Sequence, residues 1–391
     1  MRIGLVLANV PGYSETFFNN KIKGLKGEGH EVVLFVGSMK RIGYENAKVY
    51  YGPALSGSGF SKLFSTLFSI INVFCQAPLV SVKFLRLELS HGASWSVAIR
   101  RLVINSHILP HKLDWLHFGF ATMGIGRELV GKAIGAKVAV SFRGYDISIY
   151  PLKHPGCYKR LWQHVDKVHT ISDDLLQIAY SQGLPTELPV SKITPAIDAS
   201  IFLTLRSGFF DNTEIRMLSV GRLHWKKGFE YTFEALALAK GRGVKFKYTI
   251  IGEGEERERL VFAAHQLGIS DNVTFAGKIS HSDIPGSMKE NDIYLQYSIQ
   301  EGFCNSVLEA QAAGMLCLVS DAEGLQENVL DGKTGWVVPK RNPALLAQKI
   351  LEVIYYPQNQ LLSVSQAAAR RVTEEFNLEK QRKEFVQFYS E

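Results

Sequence analysis

The strongest constraint on this chain is a repeated order of short apolar runs and amphipathic segments. RIGLVLANV (2–10) reads as a strand, SETFFNNKIKGLKGEG (14–29) as a helix capped by Ser14, and HEVVLFVG (30–37) as the next strand. AKVAVSFRG (136–144) and KVHTIS (167–172) read as later strands of the same sheet. The series starts again at Ile215. IRMLSVGRL is a strand, KKGFEYTFEALALAKGRG a helix and VKFKYTIIGEGEE a strand ending in glycines, with VTFAGKI, DIYLQYS and LCLVSD following. Alternation of this kind predicts a parallel, doubly wound α/β sheet, here built twice. The periodicity lapses over residues 194–212, which places one Rossmann-like domain at 1–200 and a second at 213–376. Residues 377–390 form a closing amphipathic helix.

A chain of 391 residues, 46% hydrophobic and 21% charged, can fill two such cores. Cys75, Cys157, Cys304 and Cys317 show no CxxC spacing, which argues against a zinc ribbon or disulfide framework and suits a reducing compartment. The apolar run Ile3–Val10 has the length of a buried strand and stops at Pro11-Gly12, so no secretion signal is expected and the protein is placed in the cytoplasm. Residues 1–200 hold 22 Lys and Arg against 13 Asp and Glu, while the remainder is close to neutral. Such a basic half suits an anionic membrane surface or a lipid-phosphate acceptor. Nucleic acid is not expected, because no helix-turn-helix, zinc-finger or RRM-type signature is present.

The uncharged stretch LFSTLFSIINVFCQAPLVSV (63–82) has bilayer-spanning length. Its serines, Thr66, Asn72, Gln76 and Pro78 make it too polar for a good transmembrane helix. Buried or amphipathic helices are the preferred reading, with contact at a membrane surface as the alternative.

Ligand phosphates in doubly wound proteins sit beyond the carboxyl ends of strands, near helix N-termini. After the strand at 215 comes GRLHWKKG, where Arg222 and Lys227 could reach one diphosphate. After DIYLQYS comes QEGFCNSVLEAQAAG. Glu301 lies in its loop, Gly302 lets a ligand approach, and Asn305 or Ser306 can cap the helix that carries Glu309. A helical path would separate the two carboxylates by roughly 12 Å. That distance suits one reader for hexose hydroxyls and one for a ribose, with the helix end between them for the diphosphate.

Residues 215–340 resemble the donor domain of glycosyltransferase family 4, retaining enzymes of GT-B fold. The likeness rests on Gly221, Arg222, Lys227 and Gly228; on Glu301, Gly302, Phe303, Glu309, Ala310 and Gly314 in the EGF…EAxAxG segment; and on GLQENVLDGKTGWVVP (324–339). The N-terminal half resembles the exopolysaccharide branch in SETFFNNKIKGLKGEGHEV, in the HFG turn of LHFGF (116–120), and in SFRGYD (141–146). There Arg143 replaces the histidine of many relatives, and Cys304 replaces their usual Gly or Pro.

This resemblance implies two Rossmann-like domains facing across a cleft, with the C-terminal helix packed back on the first. It also implies transfer of a sugar from a UDP- or GDP-sugar to a glycan or lipid-linked acceptor, in cell-surface polysaccharide synthesis at the inner face of the plasma membrane. Glu301, Arg222, Lys227 and, on the acceptor side, His117 are the expected catalytic group. Gly221, Gly302, Phe303, Cys304, Asn305, Glu309, Gly252, Gly254, Gly12, Arg143 and Asp146 are the expected donor contacts. No cofactor beyond the substrate nucleotide and no metal is expected, since the chain has no Asp-x-Asp. His107 and His111 have helical metal spacing but are split by Pro110, so they read as ordinary core or surface histidines. A GT-B epimerase and a non-catalytic nucleotide-sugar scaffold are the competing readings.

Overall fold

The computed structural model describes residues 1–12, 16–37, 43–55, 59–210 and 214–390, so the expected cap Ser14 lies outside the described residues. The chain forms two compact units, Met1–Ile193 with Gln381–Glu391, and Thr194–Lys380. The division falls at residue 193 rather than 200, and the segment after it carries its own buried Phe202 and Phe209.

In the first unit, β1 (Arg2–Leu7), β2 (Glu31–Val36), β3 (Lys48–Tyr51), β4 (Trp115–Phe118), β5 (Lys137–Phe142), β6 (Lys167–Thr170) and β7 (Val190–Lys192) form one seven-stranded sheet. Its order is β3-β2-β1-β4-β5-β6-β7 and every pairing is parallel. Strands covered on both faces need continuous apolar runs, which is why Ile3–Leu7 and Val32–Val36 are buried throughout. Helix α1 (Thr16–Gly27) turns Phe17, Phe18, Ile22 and Leu25 into this core. The C-terminal helix Leu378–Ser390 adds Phe385, Phe388 and Tyr389 to it. The Trp115 indole donates to the Tyr389 carbonyl at 3.0 Å, and Lys167 donates to the Phe388 carbonyl at 2.9 Å.

In the second unit, β8 (Ile215–Val220), β9 (Phe246–Ile251), β10 (Val273–Gly277), β11 (Ile293–Gln296), β12 (Leu316–Ser320) and β13 (Trp336–Val338) form a six-stranded parallel sheet of order β10-β9-β8-β11-β12-β13. In each sheet the order reverses beside the unit's first strand, between β1 and β4 and between β8 and β11. Helices leave opposite faces there and a crevice opens at the carboxyl ends.

Residues 63–82 are amphipathic helices, as preferred, but their apolar face is not buried. They lie in α2 (Gly59–Gln76) and α3 (Pro78–Ser90), which bend by 116° at the break between them, and α4 (Trp95–Ile104) follows. No single helix among the described residues is long and apolar enough to cross a bilayer. The helices are amphipathic, but Leu63, Phe64, Leu67, Phe68 and Ile71 face outward instead of into a core.

Candidate functional site

The crevice between β8 and β11 gathers the charged residues singled out in the sequence. After β8 the chain turns through Trp225–Lys227, where His224 accepts from the Lys226 amide, and Gly228 opens the helix Phe229–Gly241. The Lys226 carbonyl accepts from the amide of Ile299 at 2.7 Å, so the loops after β8 and β11 are tied by their backbones. This tie brings Lys227 Nζ to 2.5 Å from Glu301 Oε2, with only 19% and 17% of the two side chains exposed. Burial alone would lower the Lys227 pKa, but the Glu301 carboxylate outweighs it and holds the ammonium above its usual value. Glu301 is itself fixed. Its amide donates to Glu323 Oε2 at 2.9 Å, and Ser298 Oγ donates to its carboxylate at 3.4 Å. Arg222 stands exposed in the same turn.

Gly228 has φ of +63°, and a Cβ there would lie 2.2 Å from the Tyr297 carbonyl oxygen. Gly228→Ala is expected to cost about 1–2 kcal/mol from the left-handed backbone, with the clash at the Tyr297 oxygen added to it. Differential scanning calorimetry should show a melting point lower by roughly 5 °C or more. An unchanged melt would remove the backbone constraint on Lys227. At Gly252 and Gly254, two of the expected donor contacts, the missing side chains serve the protein's own packing. A Cβ would meet the Gly221 oxygen at 1.9 Å and the Leu223 oxygen at 2.2 Å respectively. Gly221 and Leu223 donate back to Ile251 and Glu253, both at 2.9 Å, so the glycine turn seats the arginine loop.

The helix Asn305–Ala312 begins beside this pair. Asn305 or Ser306 was expected to cap it, but Cys304 holds the cap position and no side chain caps the end. Ser306 Oγ instead donates to the Val220 carbonyl at 3.1 Å and accepts from Tyr294 Oη at 2.8 Å, fastening the helix to the end of β8. Asn328 holds the cap residue from both sides, accepting from the Cys304 amide at 3.0 Å and donating to its carbonyl at 3.2 Å. The cysteine therefore sits in a fixed backbone, buried, with its thiol pKa pushed up by that burial. Phe303 is buried against Phe376, 5.7 Å between rings, and Gly302 is buried too. An uncapped helix end presents backbone N–H groups and a partial positive charge, the feature that receives phosphate.

Glu309 lies in that helix, nine-tenths buried, and its Oε1 is 3.3 Å from His281 Nε2. The hydrogen bond raises the His281 pKa. Tyr294, Asn328 and His281 were not singled out in the sequence; a tyrosine inside the apolar run DIYLQYS was the one available sign.

The expected residues of the first unit are placed differently. His117 is not on a turn but inside β4, wholly buried. A hydrogen-bond relay fixes it: His169 Nε2 faces the Ile193 carbonyl at 2.9 Å and so must donate. His169 Nδ1 then accepts from Ser141 Oγ at 2.8 Å, Ser141 accepts from His117 Nε2 at 2.7 Å, and His117 Nδ1 accepts from Tyr389 Oη at 2.6 Å. Both rings are neutral, with pKa values driven well down first by burial and then by the nearby Lys21 ammonium. His117 thus has no open side for an acceptor. Asp146 is also buried, its carboxylate accepting from the amides of Ala121 and Arg143, each at 3.0 Å. It joins the loops after β4 and β5 rather than meeting a ligand. Arg143 lies over the Phe17 ring at 3.8 Å and the Phe18 ring at 4.6 Å. Gly12 follows β1, with open space where a Cβ would stand, and its carbonyl accepts from Asn19 at 3.1 Å. His107 and His111, read as ordinary histidines, have pKa values lowered to about 3 and about 4 by burial.

Residues 204–371 match the family described as glycosyl transferases group 1. A putative colanic acid biosynthesis glycosyltransferase of Salmonella typhimurium is 30% identical over 270 residues, covering 67% of this chain and 66% of that protein. The amylovoran biosynthesis glycosyltransferase AmsK of Erwinia amylovora is 28% identical over 298 residues, covering 73% and 72%. The structure of HepE from Anabaena in complex with UDP and glucose superposes with a TM-score of 0.71 at 17% identity, covering 100% of this chain and 99% of that one.

Proposed function

Because the chain belongs to the group 1 glycosyl transferases and has the two-domain GT-B fold, we propose that it moves a sugar from a UDP- or GDP-sugar to a glycan or lipid-linked acceptor, with retention at the anomeric carbon. Enzymes of polysaccharide biosynthesis among its relatives support the acceptor class, and HepE, which binds UDP and glucose, supports a nucleotide donor. The basic first unit suits work at the anionic inner face of the plasma membrane. The observation that carries the reading is the Lys227–Glu301 pair beside an uncapped helix end at the β8/β11 crevice.

Transfer breaks the bond between the anomeric carbon and a phosphate oxygen, and the departing diphosphate gains charge. Fixed cations and helix dipoles stabilise that charge more in the transition state than in the ground state. Lys227, Arg222 and the N–H groups after Cys304 fill this role, Glu301 holds the sugar hydroxyls, and Glu309 reads the ribose.

A panel of UDP- and GDP-sugars incubated without acceptor or added metal tests the proposal. Slow release of free sugar from one donor is expected, and Arg222→Ala should slow it by about 10-fold or more through loss of a charged phosphate contact. Release from none of the donors, with none bound, would overturn the reading.

A further inference from the structure

Helix α2 is built inside out. Phe64 and Phe68 are 72% and 61% exposed, whereas the side turned inward carries Ser69 and Val73. Ser69 Oγ satisfies itself by donating to the Ser65 carbonyl at 2.7 Å. A helix bordered by water places its apolar stripe toward the core. Here Leu63, Phe64, Leu67, Phe68 and Ile71 line the outer face at helical spacing, and Leu79 at the start of α3 is 85% exposed. The inner faces are committed: Ser81 and Phe84 of α3 are fully buried, and α3 packs on α4. On α4, Trp95 is exposed as well.

The charge around this face has one sign. From residue 46 to residue 113 the only acid is Glu88. Glu88 is removed from the surface, fully buried between Arg101 and Arg160, each 2.6 Å from its Oε2. Lys62, Lys83, Arg86 and Arg100 are exposed. An apolar face on helices whose exposed charges, among the described residues, are cations matches lipid chains beneath anionic headgroups. A second copy of the chain fits badly, because a two-fold contact would set the same cations against each other.

We propose that the outer face of α2 and the first turn of α3 form a docking surface for an anionic lipid bilayer, on which the protein lies without crossing. The inference rests on the membrane side of the proposed function and is independent of the sugar chemistry. It places the first unit against the surface where a lipid-linked acceptor would be presented.

The test is co-sedimentation of the full chain with phosphatidylcholine vesicles, with and without phosphatidylglycerol. Binding is expected to be at least ~10-fold tighter to the anionic vesicles and to weaken as salt is raised. Phe64→Ser/Phe68→Ser should lose at least ~10-fold of it, while its thermal melt and its UDP affinity stay unchanged. Lys62→Gln/Lys83→Gln/Arg86→Gln should abolish the preference for anionic lipid. Wild-type protein left in the supernatant would overturn the proposal, as would equal binding by the Phe variant. So would a lipid-free dimer, seen by velocity sedimentation, that the Phe variant dissolves. Vesicle binding that persists when no nucleotide binds would remove the sugar-transfer reading alone.

Discussion

Glu301→Gln is expected to lower sugar release from the donor by about 10³-fold, while UDP is bound as well as before or better. Removal of one preorganised charge partner in a partly water-excluded site costs on the order of 10²–10³ in turnover. The larger value applies here because Glu301 has two roles. It is placed to hold the sugar, and it fixes Lys227 Nζ at 2.5 Å. The two roles act at different steps. Without the carboxylate, burial pulls the Lys227 pKa down, but a bound diphosphate replaces Glu301 as the charge that holds the ammonium, so nucleotide affinity does not fall. What is lost is the orientation of the sugar over the breaking bond. Comparing single-turnover rates with UDP affinity, variant against wild type, separates these terms. A parallel loss of both would mean that the pair is a structural brace and not part of the site.

The second large effect concerns stability and acid. His117 and His169 are neutral and fully buried, with folded pKa values far below the 6.5 of an exposed imidazole. The unfolded chain therefore binds more protons below pH 6.5, and stability falls as pH drops from there. Each of these two groups removes stability as pH falls below 6.5, until its own folded pKa is reached. His107 and His111, lowered to about 3 and about 4, act in the same direction. Asp146, its pKa raised by burial, acts in the opposite one. All five lie in the first unit. In the second unit His281, raised by its bond to Glu309, gains from protonation instead. Hydrogen exchange at pH 7 and pH 5, corrected for intrinsic rates, should show β4–β6 losing protection much more than β8–β12. Equal loss in both sheets would mean that the histidine relay does not hold charge out of the first core.

The difference between the units also explains what could be read from the sequence. Strands such as β1 and β8 were legible because burial on both faces demands an unbroken apolar run, and the parallel arrangement follows from the helices between them. Lys227 and Glu301 were legible because each sits a few residues beyond a strand end, where local spacing alone fixes its position. His117 was not. Its partners Ser141 and Tyr389 are 24 and 272 residues away, and a histidine two residues before a glycine looks the same whether it faces solvent or a relay. The cap at Cys304 was missed for a related reason. Ser306 is a good capping residue in isolation, but Tyr294 and the Val220 carbonyl compete for its hydroxyl. The outward face of α2 was invisible because hydropathy records how apolar a residue is and not which way its helix is turned.

The most direct test of the account is the affinity of UDP and GDP for wild-type protein and for Lys227→Ala, measured by titration calorimetry without metal. One nucleotide is expected to bind the wild type, and the variant to bind it at least ~30-fold more weakly. The missing ammonium leaves Glu301 as an uncompensated charge facing the diphosphate. Equal affinity in the two proteins would contradict the placement of the diphosphate in the β8/β11 crevice.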